Sequence, residues 1–178
     1  MQLKKKNCPP DRLIAVWKTA NRVTEFFFEN FPDDLWDMKI PGAPRRTIRM
    51  LAGHIHNARC MWIKMAGKSL GVSVPQSVDR RKVTRTALLK ALAKSNQAII
   101  DLLNAGLEQG GVLSSSIPWM NIPTDVVHFI IYLIAHEAHH RGQIILAARE
   151  SGHRLPPKVT TGIWQWKKRN MESKIRTK

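Results

Sequence analysis

Four segments of this chain repeat apolar residues at the spacing of an α-helix, and no segment alternates as a strand does. The first spans Pro10 to Phe31, with a stripe of Leu13, Val16, Trp17, Ala20, Thr24, Phe27 and Phe28 and a stop at Pro32-Asp33-Asp34. The second runs from Thr47, an N-cap residue, to Ala66 ahead of Gly67; Ile48, Leu51, Ile55, Ala58, Trp62 and Met65 share one side. The third starts near Thr84 and ends at Gly110-Gly111, turning Leu88, Leu92, Ile99, Leu103 and Leu107 inward. The fourth begins at Thr124-Asp125 after Pro123 and ends at Gly152, followed by Pro156-Pro157. Four amphipathic helices of about 20 residues predict an all-α fold, a four-helix bundle. The connections of about 14 to 17 residues exceed simple turns, and the one from Gly67 to Val83 is long enough to run the length of a bundle. It would set helices two and three parallel.

The fourth helix is apolar nearly all the way round. Phe129, Leu133 and Ala147 lie on one side, and Val127, Ile131, Ile134, Ala138 and Ile145 on the other. A helix wetted on neither side is covered on both. The second face is therefore expected to meet either a partner copy in a homodimer or the segment holding Trp164 and Trp166, and symmetric dimers are the commonest soluble oligomers.

With 178 residues the chain can bury one core, and we expect a single domain over 1–166 with a basic tail over 167–178. Cys8 and Cys60 form no CxxC pair, which fits a reducing cytoplasm better than a disulfide framework. The Met1 to Lys6 start is basic but no apolar stretch follows it, and the run from Phe129 to Ala135 is too short to span a bilayer. A cytoplasmic protein without membrane contact is the expectation. Half of the net charge of +16 sits at the ends, in Lys4 to Lys6 and in 167–178, and no nucleic-acid-binding motif accompanies the rest. Nucleic acid is thus disfavoured as a partner.

The chemistry concentrates in His136-Glu137-Ala138-His139-His140-Arg141-Gly142-Gln143. Residues four apart on a helix project the same way, so His136 and His140 can reach one cation. On the second helix His54 shares its face with Leu51, Ala58, Met61, Trp62 and Met65 and points to the core, while His56 lies about 160° away at 100° per residue and is expected outside and inert. His139 falls off the His136–His140 side, with His128 and Ala135. Burying several imidazoles without partners is costly, and a shared cation removes that cost. Three protein ligands with open positions make a reactive rather than a structural site. Imidazole nitrogens suit zinc, nickel, iron(II) or cobalt(II), and softness alone does not choose among them; zinc or nickel is the expected ion. Glu137 should point away from the ion, Arg141 should form an ion pair or helix contact, and Gly142 should allow close helix packing. Gln143, one turn from His140, is the residue placed to support the ligands. Trp119 and Met120 precede the fourth helix and can plug or cover a pocket mouth.

These residues resemble the DinB-like (DinB/YfiT) superfamily of metal-binding four-helix bundles: His54 within the second helix, His136-x-x-x-His140-Arg141-Gly142-Gln143 in the last, then Gly152-x-x-Leu155-Pro156-Pro157 and Trp164. The resemblance covers essentially the whole chain. It implies an up-down-down-up bundle with a long crossover between helices two and three, a divalent metal held by His54, His136 and His140, and dimerisation through bundle helices. It also implies either a metal-dependent hydrolase or a thiol S-transferase, in which the ion activates water or a thiol on a small-molecule substrate. The alternative is a non-enzymatic dimeric stress-response or binding scaffold with a basic surface.

Overall fold

A computed structural model describes residues 10–113 and 124–175. The four expected helices form: α1 (Pro10–Glu29), α2 (Ile48–Gly67), α3 (Arg85–Glu108) and α4 (Val126–Glu150). Three of them start on the anticipated caps. Thr47 Oγ1 accepts from the Met50 N–H at 3.3 Å, Thr84 Oγ1 from the Ala87 N–H at 3.2 Å, and Asp125 Oδ1 from the Val127 and His128 N–H groups at 2.9 and 3.1 Å. Each bond satisfies a donor that the first helical turn leaves without a partner. Helix α4 stops at Gly152, whose φ of +83° lets His153 N–H return to the Ala148 carbonyl at 2.8 Å.

The helices enclose two apolar clusters. One gathers Phe27 and Phe28 of α1, Ile48 and Ile55 of α2, Leu88 and Leu92 of α3, and Ile144 and Ala148 of α4. The other gathers Trp17, Trp62, Ile63, Ile99, Leu103, Phe129 and Leu133. A charged layer falls between them. Glu137 Oε1 accepts from Arg59 Nε at 2.6 Å, and its Oε2 accepts from Arg59 Nη2 at 3.0 Å and from the Thr24 hydroxyl at 2.6 Å. Arg141 Nη1 donates to Thr24 Oγ1 at 2.6 Å, Arg59 Nη1 donates to Asn21 Oδ1 at 2.8 Å, and the Arg59 guanidinium lies over Trp17 at 5.0 Å. Burial alone would raise the Glu137 pKa; the charge and hydrogen bonds of Arg59, then Arg141 and Thr24, more than offset this and hold the carboxyl below its usual range.

Three features lie outside the four-helix expectation. A short antiparallel hairpin, β1 (Lys39–Ile40) and β2 (Ala43–Thr47), turns at Gly42 with φ +71° and feeds directly into α2. A short helix α5 (Pro157–Gly162) follows α4, and residues anticipated as the start of a basic tail form α6 (Trp166–Ile175). Helix α6 lies on α1: Arg169 stacks 3.8 Å over Phe26, Asn170 Nδ2 donates to Thr19 Oγ1 at 2.8 Å, and Glu172 accepts from Arg22 at 2.8 Å. At Gly162 an added Cβ would lie 2.2 Å from the Phe26 ring, so only glycine lets α5 approach α1 this closely.

The outer face of α4 is therefore not covered by the C-terminal segment. Trp164 is itself 76% exposed, and Ile131 and Leu146 are 58% and 54% exposed. Gly142 lies on this open side with nothing within 4 Å of where a Cβ would sit, so the expected helix packing at that glycine is absent among the described residues. Among those residues no helix is long and apolar enough to cross a membrane.

The connection between α2 and α3 is tied along α2. Asn57 Nδ2 donates to the Val78 carbonyl at 2.9 Å, while its Oδ1 accepts from the Val78 N–H at 2.8 Å. At Gly53 an added Cβ would meet Arg80 Cγ at 3.1 Å.

Replacing Glu137 with glutamine leaves the buried Arg59 and Arg141 without a counter-charge. Urea unfolding of Glu137→Gln is expected to show a loss of about 3–5 kcal/mol.

Candidate metal centre

Helices α2 and α4 pack so that Trp62 meets Tyr132 edge-on at 5.4 Å on one side of the centre, while Leu51 of α2 lines a cavity together with Gln143 and Ala147 of α4 on the other. Between these contacts the three half-buried imidazoles of His54, His136 and His140 come together. One nitrogen from each lies within 4.8 Å of the other two. The ring centroids are 5.4 Å apart for His54 and His136, 4.6 Å for His54 and His140, and 4.5 Å for His136 and His140. Tyr132 stacks on His136 at 6.0 Å with an interplanar angle of 26°.

Gln143 sets the tautomer of His140. Its Oε1 lies 2.7 Å from His140 Nδ1, and an amide oxygen can only accept, so Nδ1 carries the proton and Nε2 keeps its lone pair. That Nε2 faces His136 Nε2 at 3.1 Å. Two imidazole nitrogens facing one another, with a third ring beside them, form a donor set that a cation would satisfy, and metal–nitrogen bonds of about 2.0–2.1 Å suit such a convergence.

The site also keeps its imidazoles neutral, which is the ligating form. Burial pushes the His136 pKa down to about 4, aided by the charges of His140 and His54. Burial likewise lowers His54, followed by His140, Arg80 and Arg46. At His140 burial lowers the pKa against the opposing hydrogen bond to Gln143, with His139 and Arg46 adding to the depression.

All the expected site residues but Trp119 and Met120 can be placed. His54, His136, His140 and Gln143 converge. His139 is exposed beside His140, with ring centroids 5.2 Å apart. Arg141 is buried against Thr24 and 3.8 Å from Glu137, the ion pair and helix contact expected of it. Trp119 and Met120 lie outside the described residues. His56 departs from expectation: it is 1% exposed, with Nδ1 3.1 Å from Ser95 Oγ and Nε2 3.0 Å from the Gln76 carbonyl. Its side of α2 is covered by α3 and by the α2–α3 connection, which a helical wheel of one helix does not reveal.

The run His136-Glu137-x-x-His140 has the spacing of a zinc-protease motif whose glutamate is a general base. Here Glu137 is 2% exposed and committed to Arg59, turned into the core and away from the imidazole nitrogens. It cannot serve as that base. The sequence signal was present, but only the Arg59 partner decides its meaning.

The model of the DinB family matches residues 1–171. The chain belongs to the DinB family. No curated protein matches this DinB-family chain. Within the family match lie all three histidines and Gln143, so the geometry and the comparison bear on the same residues.

The depressed His136 pKa has a consequence for the metal-free protein. Below an unfolded pKa near 6.5 the unfolded chain takes up a proton that the folded site refuses until about pH 4, so stability falls with acidification through that window. Thermal unfolding of the chelated protein should show the melting temperature dropping from pH 6.5 toward pH 4, with a shallower drop in His136→Ala.

Proposed function

We propose that this DinB-family protein binds a divalent metal ion through His54, His136 and His140 and uses it to activate a thiol or a water on a small-molecule substrate. The observation that carries the reading is the Gln143–His140 hydrogen bond, which leaves His140 Nε2 unprotonated and aimed at His136. Zinc or nickel is the first choice for three imidazoles, with iron(II) or cobalt(II) next. Once bound, such an ion lowers the pKa of a coordinated water or thiol toward neutrality.

The chain's own residues define the rest. Three ligands leave coordination positions open, as a reactive centre requires. Gln143 orients one ligand, and Tyr132 and Trp62 wall one side of the site with aromatic surface. With Glu137 withdrawn into the core, no carboxylate joins the three histidines among the described residues. The reading accordingly assigns deprotonation to the coordinated group itself and not to a separate protein base. The protein acts as a homodimer in this reading, the exposed Ile131, Ala135, Ala138 and Leu146 face of α4 meeting its copy.

Protein prepared without a histidine tag is expected to contain about one divalent ion per chain by elemental analysis, lost in His136→Ala and in His140→Ala. Absence of metal from the wild-type chain after incubation with zinc, nickel or cobalt would refute the reading. Gln143→Leu should retain the fold and weaken metal affinity by about 10- to 100-fold in a competition titration with a chelating dye.

A further inference from the structure

Two arginines, Arg46 and Arg80, lie near enough to His54 for their charges to act on it, and neither forms an ion pair among the described residues. Arg46 projects from β2 into a cavity of about 240 Å³ that it lines together with Ile40, Leu51, Gln143, Leu146 and Glu150. Gln143, the residue bonded to His140, lines this cavity, which therefore lies beside the metal centre. Arg80 arrives from the connection between α2 and α3. Its Cα and Cγ rest on Gly53, 3.4 and 3.1 Å from where a Cβ would be, one residue before His54. A Cβ at 53 would be a tight contact that Arg80 could meet only by shifting a few tenths of an ångström.

Most arginines around the core and the hairpin are spoken for. Arg22 pairs with Glu29 and Glu172, Arg49 with Asp37, Arg59 with Glu137, Arg85 with Asp33 and Arg169 with Glu172. Arg46 and Arg80 are exposed and have neither an ion pair nor a hydrogen bond among the described residues. The cavity's one carboxylate, Glu150, is ten residues beyond His140 on α4 and makes no ion pair with Arg46. A planar guanidinium matches a carboxylate through two parallel hydrogen bonds, and positive charge from two sides makes the centre attractive to an anion before any contact is made.

We propose that the metal centre takes a small ligand bearing a carboxylate, held by Arg46 and Arg80 while its reacting thiol or hydroxyl faces His54, His136 and His140. This rests on the metal reading above and adds the substrate class to it. The modest size of the cavity favours a compact organic acid over an extended ligand.

The test compares 3-mercaptopropionate with 2-mercaptoethanol, thiols of similar size that differ in carboxylate against hydroxyl. Both are titrated into the cobalt-loaded protein, and the sulfur-to-cobalt absorption band reports binding. The cobalt content of every sample is measured first. The carboxylate thiol is expected to bind about tenfold more tightly, a preference that added salt reduces. Arg46→Gln/Arg80→Gln should erase the preference while keeping the cobalt, and Lys167→Gln/Lys168→Gln, which lowers the net charge equally on α6, should leave it intact. Equal binding of the two thiols, an undiminished preference in Arg46→Gln/Arg80→Gln, or equal loss in the lysine variant would each overturn the inference alone. A wild-type chain that takes up no cobalt would overturn the metal reading and this inference with it.

Discussion

The Arg59–Glu137 pair governs the rest of the structure. It joins α2 to α4 in the middle of the bundle, five residues beyond His54 on one helix and immediately after His136 on the other. Both oxygens of Glu137 are engaged by Arg59, which leaves α4 little freedom to rotate about its axis or slide along α2. With Glu137 pointing inward, His136 and His140 fall about 100° and about 60° round the helix on the same side, at the border between core and solvent. The half-buried setting that keeps the imidazoles neutral yet reachable thus follows from a salt bridge that touches none of them. The layer also carries an excess of positive charge, since Arg59 and Arg141 share one carboxylate. The face of Trp17 beneath Arg59 takes up part of that excess.

The long helices and the histidine trio were legible in the sequence because both depend on periodicity and caps. Thr47, Thr84 and Asp125 each announced a helix start, and the four-residue spacing of His136 and His140 placed them on one side regardless of tertiary packing. His54 joined them because its own apolar neighbours fixed its direction. The misplacing of His56 has its origin in surfaces that single-helix reasoning cannot see. His56 is opposite His54 as expected, but that side of α2 is covered by Ser95 of α3 and the Gln76 carbonyl.

Helix α6 escaped for a different reason. Its inward residues are Arg169, Asn170 and Glu172, held by a stacked ring, a hydroxyl and an arginine. An apolar stripe, the usual signature of a docked helix, is missing, so a run rich in lysine and arginine reads as a solvated tail. Residues 39–47 were overlooked because a bulged hairpin of two and five residues is shorter than any window in which alternation can be recognised.

The ties along the α2–α3 connection bear on how well the metal centre can hold its shape. Asn57 offers its side-chain amide to both backbone groups of Val78, as a neighbouring strand would, while Gln76 is anchored by His56 and Arg80 by the bare backbone of Gly53. A stretch without regular structure thereby inherits the stiffness of the helix beneath it, and the conformational entropy of fixing it is lost on folding instead of when a guest arrives. The segment beside the metal centre is preorganised loop, and it keeps Arg80 packed against the residue that precedes His54.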